Sequence, residues 1–312
     1  MSAAAIPESV SPSRLVWRRF RRHHLAVASL VLLTLLALAA LAAPLIERAL
    51  GLDAEAVNLF GRFAPASADH WLGTDELGRD VLLRLLYGGR VSLFVGLVAA
   101  LAAASIGTVV GLVAGYIGGR FDAVLMRLAD GVLSLPMLPL LIVLAALDPV
   151  KLGLPDAIAQ SESLSLYRII FIIALVGWTT TARLVRGATL SLRERAFVEA
   201  AVAQGASSLR IMARHILPNA ISPILVATTL SVGNVILLES VLSFLGLGIQ
   251  PPVASWGAML TNAQEMIWEQ PLLAIYPGLL IFLTVIAFNF LGDGLQDAFD
   301  PRSTVPGRGG SL

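Results

Sequence analysis

The sequence predicts an all-α integral membrane protein with six transmembrane helices. Three observations carry that prediction. Of 312 residues, 57% are hydrophobic and 14% charged, and the mean hydropathy is +0.82; a soluble domain is about 45–50% apolar and about 25% charged. The apolar residues are gathered into six sparsely charged runs, each long enough for a hydrocarbon core of about 30 Å. The arginines are divided unevenly among the segments that join those runs. An ordinary soluble enzyme, a disordered tail and a nucleic-acid binder are excluded.

The first run, Leu25–Ile46, holds no charge and reaches about 33 Å as a helix. Its basic lead-in resembles that of a secretory signal. The lead-in is long, however, the apolar run exceeds the usual 7–15 residues, and Pro44 sits beside the would-be cleavage site, so a retained anchor is expected. Ahead of it, Ser13–His24 interleaves arginines with Leu15, Val16, Trp17 and Phe20. That pattern reads either as an interfacial helix on an anionic leaflet or as a plain orientation signal.

The segment after the first span predicts a helix capped by Thr74 or Asp75, with Leu77, Val81, Leu82, Leu85 and Leu86 as its apolar stripe. Asp80 and Arg84 would form a weak surface pair on it. The second span is Val91–Gly115, whose Gly96, Ala100 and Ala104, then Gly107, Gly111 and Gly115, form small-residue ridges for close packing, inside the chain or against a second subunit. The third, Val124–Leu147, is kinked by Pro136 and Pro139, and Arg127 pairs locally with Asp130. Leu166–Val185, Ile221–Leu245 and Leu272–Leu291 complete the six, and Asp293, Asp297 and Asp300 follow as a solvated tail.

Orientation follows from charge. With the N-terminus inside, the inner segments collect Arg14, Arg18, Arg19, Arg21, Arg22, Arg120, Arg127, Arg183, Arg186, Arg193, Arg195, Arg210, Arg214, Arg302 and Arg308. The outer ones hold Arg48, Arg62, Arg79, Arg84, Arg90, Lys151 and Arg168. A bias of about two to one places both termini in the cytosol.

The longest inner connection, Arg186–Pro218, is not a plain linker. Phe197–Gly205 is built of helix formers and ends in a glycine suited to a left-handed stop. Ser207 can cap a second helix, Ser208–Ile216, and Pro218 and Pro223 fall where the fifth span starts. The result is a helix–turn–helix lying across the membrane face. Ala200 and Ala201 make its first helix thin enough to lie in a groove of a partner protein.

At this point the sequence resembles a family. Glu199-Ala200-Ala201, three residues, Gly205 and then Leu217-Pro218 resembles the E-A-A-x3-G-x9-I-x-L-P loop of inner-membrane subunits of binding-protein-dependent ABC importers. His215 stands at the isoleucine position, an ending familiar in the peptide-transporter branch. His70-Trp71-Leu72-Gly73-Thr74-Asp75-Glu76-Leu77-Gly78-Arg79-Asp80 resembles the segment before the second span in the C-type dipeptide/oligopeptide/nickel permeases. Ser243 to Pro252, with Trp256-Gly257 and Met259-Leu260, resembles an outer loop of the same branch, with Ala254 where a proline is frequent. The likeness covers about residues 25–302; Asp148–Tyr167 is longer than the usual connection.

The resemblance implies a type I, MetI-like transmembrane domain. Residues 1–24 are a basic cytosolic segment, 25–90 the first helix and outer segment, 91–292 the core, and 293–312 a cytosolic tail. It implies a homologous permease partner, two cytosolic ABC ATPases and an external solute-binding protein, in an inner membrane. Glu199, Ala200, Ala201 and Gly205 would couple the chain to the ATPases, and di- or oligopeptides are the modal cargo.

The residues read alone agree with that division of labour. No G-x-x-x-x-G-K-[ST] stretch exists, and the single lysine, Lys151, follows Pro149-Val150, so ATP would be used by partner chains and no cofactor is expected here. With no cysteine and four scattered histidines, no metal site is expected either. Ser231, Asn234 and Glu239 are polar residues in the fifth span. Each lines a path or serves packing: Glu239 near the water-reached outer end, the others by interhelix hydrogen bonding. An ion-coupled secondary transporter of small polar solutes is the alternative, and Glu239 is its one carboxylate within the fifth span. An intramembrane enzyme ranks last, for want of G-x-S-x-G, paired mid-span aspartates or H-E-x-x-H.

Overall fold

A computed structural model describes residues 12–151, 153, 155, 161–261 and 266–300. Among the described residues the architecture is helical, with five helices long and apolar enough to cross a membrane and one bent pair. Helix α1 (Pro12–Phe20) is short and amphipathic, α2 (His24–Leu41) is the first crossing, and α3 (Ala43–Leu50) follows after a single residue. The Nδ1 atom of His23 caps α2 by accepting from Ala26 N at 3.1 Å.

Helix α4 (Val81–Ile117) runs the full height of the bundle. Its amino-terminal turns cover the stretch expected to be amphipathic, but residues 81–89 are buried or half-buried all round, and the helix starts at Val81 rather than at 74–76. The cap is Asp80, whose Oδ1 accepts from Leu83 N at 2.8 Å. Residues 74–80 instead form a compact turn, in which Gly78 adopts φ +75 and Asp75 N donates to Arg79 O at 3.0 Å.

The kinked third crossing proves to be two helices, α5 (Gly119–Ser134) and α6 (Met137–Ala145), bent by 88° where Pro136 lacks an N–H to continue the ladder. Both limbs pack along α7 (Glu162–Arg193). Ala129 meets Trp178 and Ala182, and Leu141 and Ala145 join Ile169 and Ile173 further along. Asp130 pairs with Arg183 of α7 at 2.6 Å rather than with Arg127, because the side chain turns toward the neighbouring helix. Of the long 148–167 connection, residues 152, 154 and 156–160 lie outside the described residues.

The glycine ridge of α4 packs inside the chain. A Cβ on Gly107 would meet Trp178 O at 2.5 Å, and one on Gly111 would meet Ala182 O at 2.5 Å. Backbone contact of that closeness is how helices associate in lipid, where apolar burial provides little drive. Gly96 instead receives the side chains of Val232 and Ile236 of α10 (Leu217–Phe244).

Helices α8 (Ala196–Ala203) and α9 (Ser208–Ile211) precede α10, and α9 flows into it without a break. The joint is one wide turn, Met212–Ile216, in which Leu217 N donates to Met212 O. Pro218 offers no N–H for the ordinary next bond, so the ladder is one residue looser there. Helix α11 (Pro271–Phe299) closes the bundle and extends beyond the expected Leu291. The supposed acidic tail is therefore partly helix. Asp297 lies 3.7 Å from His23 Nε2, Arg19 donates to Asp300 O at 3.1 Å, and Phe20, Ala26 and Ala298 share a small core.

These contacts define two ends. One, the near end, gathers α1, the close of α11, the α4–α5 junction and the α8–α9 hairpin. The other, the far end, gathers α3, residues 51–80, the start of α7 and the loop 245–261.

Candidate functional site

The near-end hairpin rests on a fixed stem. Arg186 grips Asp122 through Nε and Nη2 at 2.5 and 2.6 Å, and Arg193 donates to Gly115 O at 2.9 Å. These bonds pin the end of α7 to the α4–α5 junction. After Arg195 the chain turns into α8. That helix ends as its composition demands: Gly205 has φ +77, Gly205 N bonds Val202 O at 2.9 Å, and Ala206 N bonds Ala201 O at 3.0 Å. The paired bonds and the left-handed glycine satisfy carbonyls that a helix end would otherwise leave open.

One side of the hairpin is core. Val198, Ala201, Ile211 and Ile216 are buried with Leu112, Val185, Ala220 and Ile224. The other side is bare: Glu199, Ala200, Gln204 and Gly205 are exposed. Three large apolar side chains share that side, Phe197 at 41% exposure, Val202 at 54% and Leu209 at 74%. The four residues expected to couple therefore divide. Glu199, Ala200 and Gly205 face outward, whereas Ala201 anchors α8 to its own bundle. A Cβ on Gly205 would meet nothing within 4 Å, so its smallness leaves room for something outside the chain.

The fifth-span residues are not brought together. Ser231 donates to Thr228 O at 2.8 Å, a bond within its own helix. Asn234 is exposed, whereas its neighbour Gly233 packs on α11. Glu239 is 0% exposed, so it is not reached by water as its position suggested. Its Oε2 accepts from Ser92 Oγ of α4 at 3.2 Å and its Oε1 from Ser243 Oγ at 2.8 Å. Those partners escaped the sequence reading. The signal was present in part, since Glu239 and Ser243 stand one helical turn apart.

The far end is knit by a second polar set. Thr74 donates to Gly61 O and accepts from Ala64 N at 2.8 Å. Asp75 accepts from Leu77 N and Arg79 N, each at 2.9 Å, and from Arg79 Nε at 2.7 Å. Gly78 has φ +75 and sits so close to Asn58 that a Cβ would strike its carbonyl. Asp80 and Arg84, expected as a surface pair, are both buried. Asp80 reaches His70 at 2.9 Å, and Arg84 extends between Asp75, at 3.8 Å, and the Pro252 carbonyl, at 3.4 Å. Tyr87 ties α3 to α4 through Glu47.

The described residues thus form a helical bundle of membrane-crossing length with a hairpin pinned on one side and bare on the other. Comparison with known proteins gives the class. Residues 107–305 match the family of binding-protein-dependent transport system inner membrane components, and the chain belongs to that family. It is a multi-pass membrane permease of an ABC importer.

The branch follows from the rest of the chain. Residues 11–51 match the N-terminal transmembrane domain of oligopeptide transport permease C. The oligopeptide transport permease of Escherichia coli K12 is 42% identical over 285 residues, 91% of this chain and 89% of that one. The dipeptide transport permease of Bacillus subtilis 168 is 41% identical over 298 residues, covering 94% and 87%. A glutathione transport permease of Pectobacterium atrosepticum is 41% identical over 295 residues, covering 94% and 92%.

Proposed function

We propose that this chain forms half of the translocation path of an ATP-driven importer of di- and oligopeptides. A homologous permease subunit supplies the other half, two cytosolic ATPases the energy, and an external solute-binding protein the loaded cargo. The observation that carries this reading is the near-end hairpin, pinned on one side and bare on the other, with apolar side chains outward where none of the described residues covers them.

The hairpin then acts as the docking element for an ATPase. Glu199, Ala200 and Gly205 meet the partner, and Ala201 transmits its movement into the bundle through Val198, Ile211 and Ile216. The arginine bias supports a cytosolic position for this end, together with both termini. The short-peptide cargoes in the relatives' names support the same cargo class here. No step of ATP chemistry is assigned to this chain, and it holds no cofactor; nucleotide is turned over on the partners.

The test is Gly205→Glu in the complete importer reconstituted in proteoliposomes. ATP hydrolysis should continue while uptake falls to background. Undiminished uptake overturns the docking role, and uptake that follows a proton gradient without ATP overturns the importer reading.

A further inference from the structure

We propose that Glu239 is the positioning residue of the far-end loop 245–261. Its carboxylate orients two serine hydroxyls, and those hydroxyls hold the loop backbone in the shape that receives the loaded binding protein. The identity of the receiver rests on the importer reading above; the holding of the loop does not.

The geometry is a pair of relays. A serine hydroxyl has one proton to give and lone pairs with which to accept. Ser243 Oγ gives its proton to Glu239 Oε1 at 2.8 Å and accepts from Ile249 N at 3.0 Å. Ser92 Oγ gives its proton to Oε2 at 3.2 Å and accepts from Trp256 N at 3.1 Å. The carboxylate thus draws both protons inward, which turns the lone pairs toward two backbone N–H groups at separate points of the loop. All five residues in these relays are buried, so water cannot replace any partner.

What is held in place spans the bundle. Trp256 donates from its ring to Leu85 O at 2.9 Å, with its indole against Gly88 and Gly89 of α4. Arg84 of α4 reaches Pro252 O at 3.4 Å, and Arg168 of α7 reaches Leu247 O at 3.3 Å. Thr261 returns to Ser243 O at 3.2 Å. The loop therefore joins α4, α7 and α10 at the end opposite the hairpin, and it presents Leu245, Gln250 and Pro251 outward. A carboxylate at 239 fixes that presentation without touching anything that docks on it.

The chain has no cysteine, so Ala254→Cys gives a single labelling site in a buried part of the loop. In the complete importer in nanodiscs carrying Ala254→Cys, Glu239→Ala should raise the rate of maleimide labelling about tenfold, the scale of losing buried hydrogen bonds to a carboxylate. In proteoliposomes, the same substitution should raise the KM of uptake for the loaded binding protein by about tenfold and leave kcat within about twofold. Glu239→Gln, which keeps one accepting oxygen, should recover part of both effects. Ser92→Ala, which removes one relay, should give a smaller rise in both, and it carries the test if Glu239→Ala does not assemble. Labelling unchanged in Glu239→Ala and Ser92→Ala overturns the proposal. Faster labelling with an unchanged KM overturns its docking half, as does a fall in kcat alone. Faster labelling in an importer whose unsubstituted form shows no binding-protein-dependent uptake leaves the positioning role standing and removes the importer reading.

Discussion

The two ends of the bundle are built on opposite plans. The far end satisfies itself: the ionisable side chains of Asp75, Asp80, Arg84 and Glu239 are buried and bonded to partners within the chain. The near-end hairpin commits one side to the core and leaves the other, with Phe197, Val202 and Leu209, facing outward. A buried charge without its partner costs several kcal/mol, so changes to the far-end ion pairs cost stability. An exposed apolar side chain costs far less, so the near end keeps its fold when its outward residues change. One end is closed on itself, and the other leaves a surface open, the surface proposed above to meet an ATPase.

The comparison is sharpest at Asp75. Asp75→Ala strips Arg79 and Arg84 of their shared partner and should cost about 3 kcal/mol. A clear drop in the melting temperature of the detergent-purified chain is the expected result, and an unchanged melting temperature would break the comparison at its strongest point. Gly111→Ala, in the α4–α7 contact, pushes a methyl group into the Ala182 carbonyl and should cost about 1–3 kcal/mol by the same assay.

At the near end, Gly205→Ala forces φ +77 on a residue with a Cβ and should cost about 1 kcal/mol. Uptake by the assembled transporter should nevertheless fall further than that figure accounts for, because the surface is changed as well. The smallest effect on folding belongs to Glu199→Ala, within about 0.5 kcal/mol. Its melting temperature should match the parent chain while its ATP-driven uptake declines. A stability loss as large as that of Asp75→Ala would show that the hairpin is held from within after all.

Much of the near end was legible in the sequence. The helix formers before Gly205 and the glycine itself are local signals that the backbone follows; Ser207 stands at the expected helix start without a side-chain cap bond, and the expected second helix, Ser208–Ile216, runs on into the fifth span. The small-residue ridge of α4 was legible for the same reason, since spacing four marks one helical face. The far end was not. Local pattern makes Asp75 a candidate helix cap and Asp80–Arg84 a surface pair, because i,i+4 spacing describes a helix whose surroundings the sequence does not show. Glu239 looked peripheral from its position near the end of a span. Its burial depends on Ser92 and Trp256, which are far from it in sequence and reach it only through the fold. The direction of Ala201 was equally hidden, since one turn of helix presents Ala200 and Ala201 to different sides.

Helix α4 has one more consequence. The stretch that matches the importer family begins at Gly107, well inside a helix that starts at Val81. The missing first half supplies Leu85, Gly88, Gly89 and Ser92, the seat of Trp256 and one of the two hydroxyls on Glu239. A fragment cut at the homology boundary would sever that helix and take from Glu239 its bond to Ser92, so the smallest piece worth expressing starts upstream of His70.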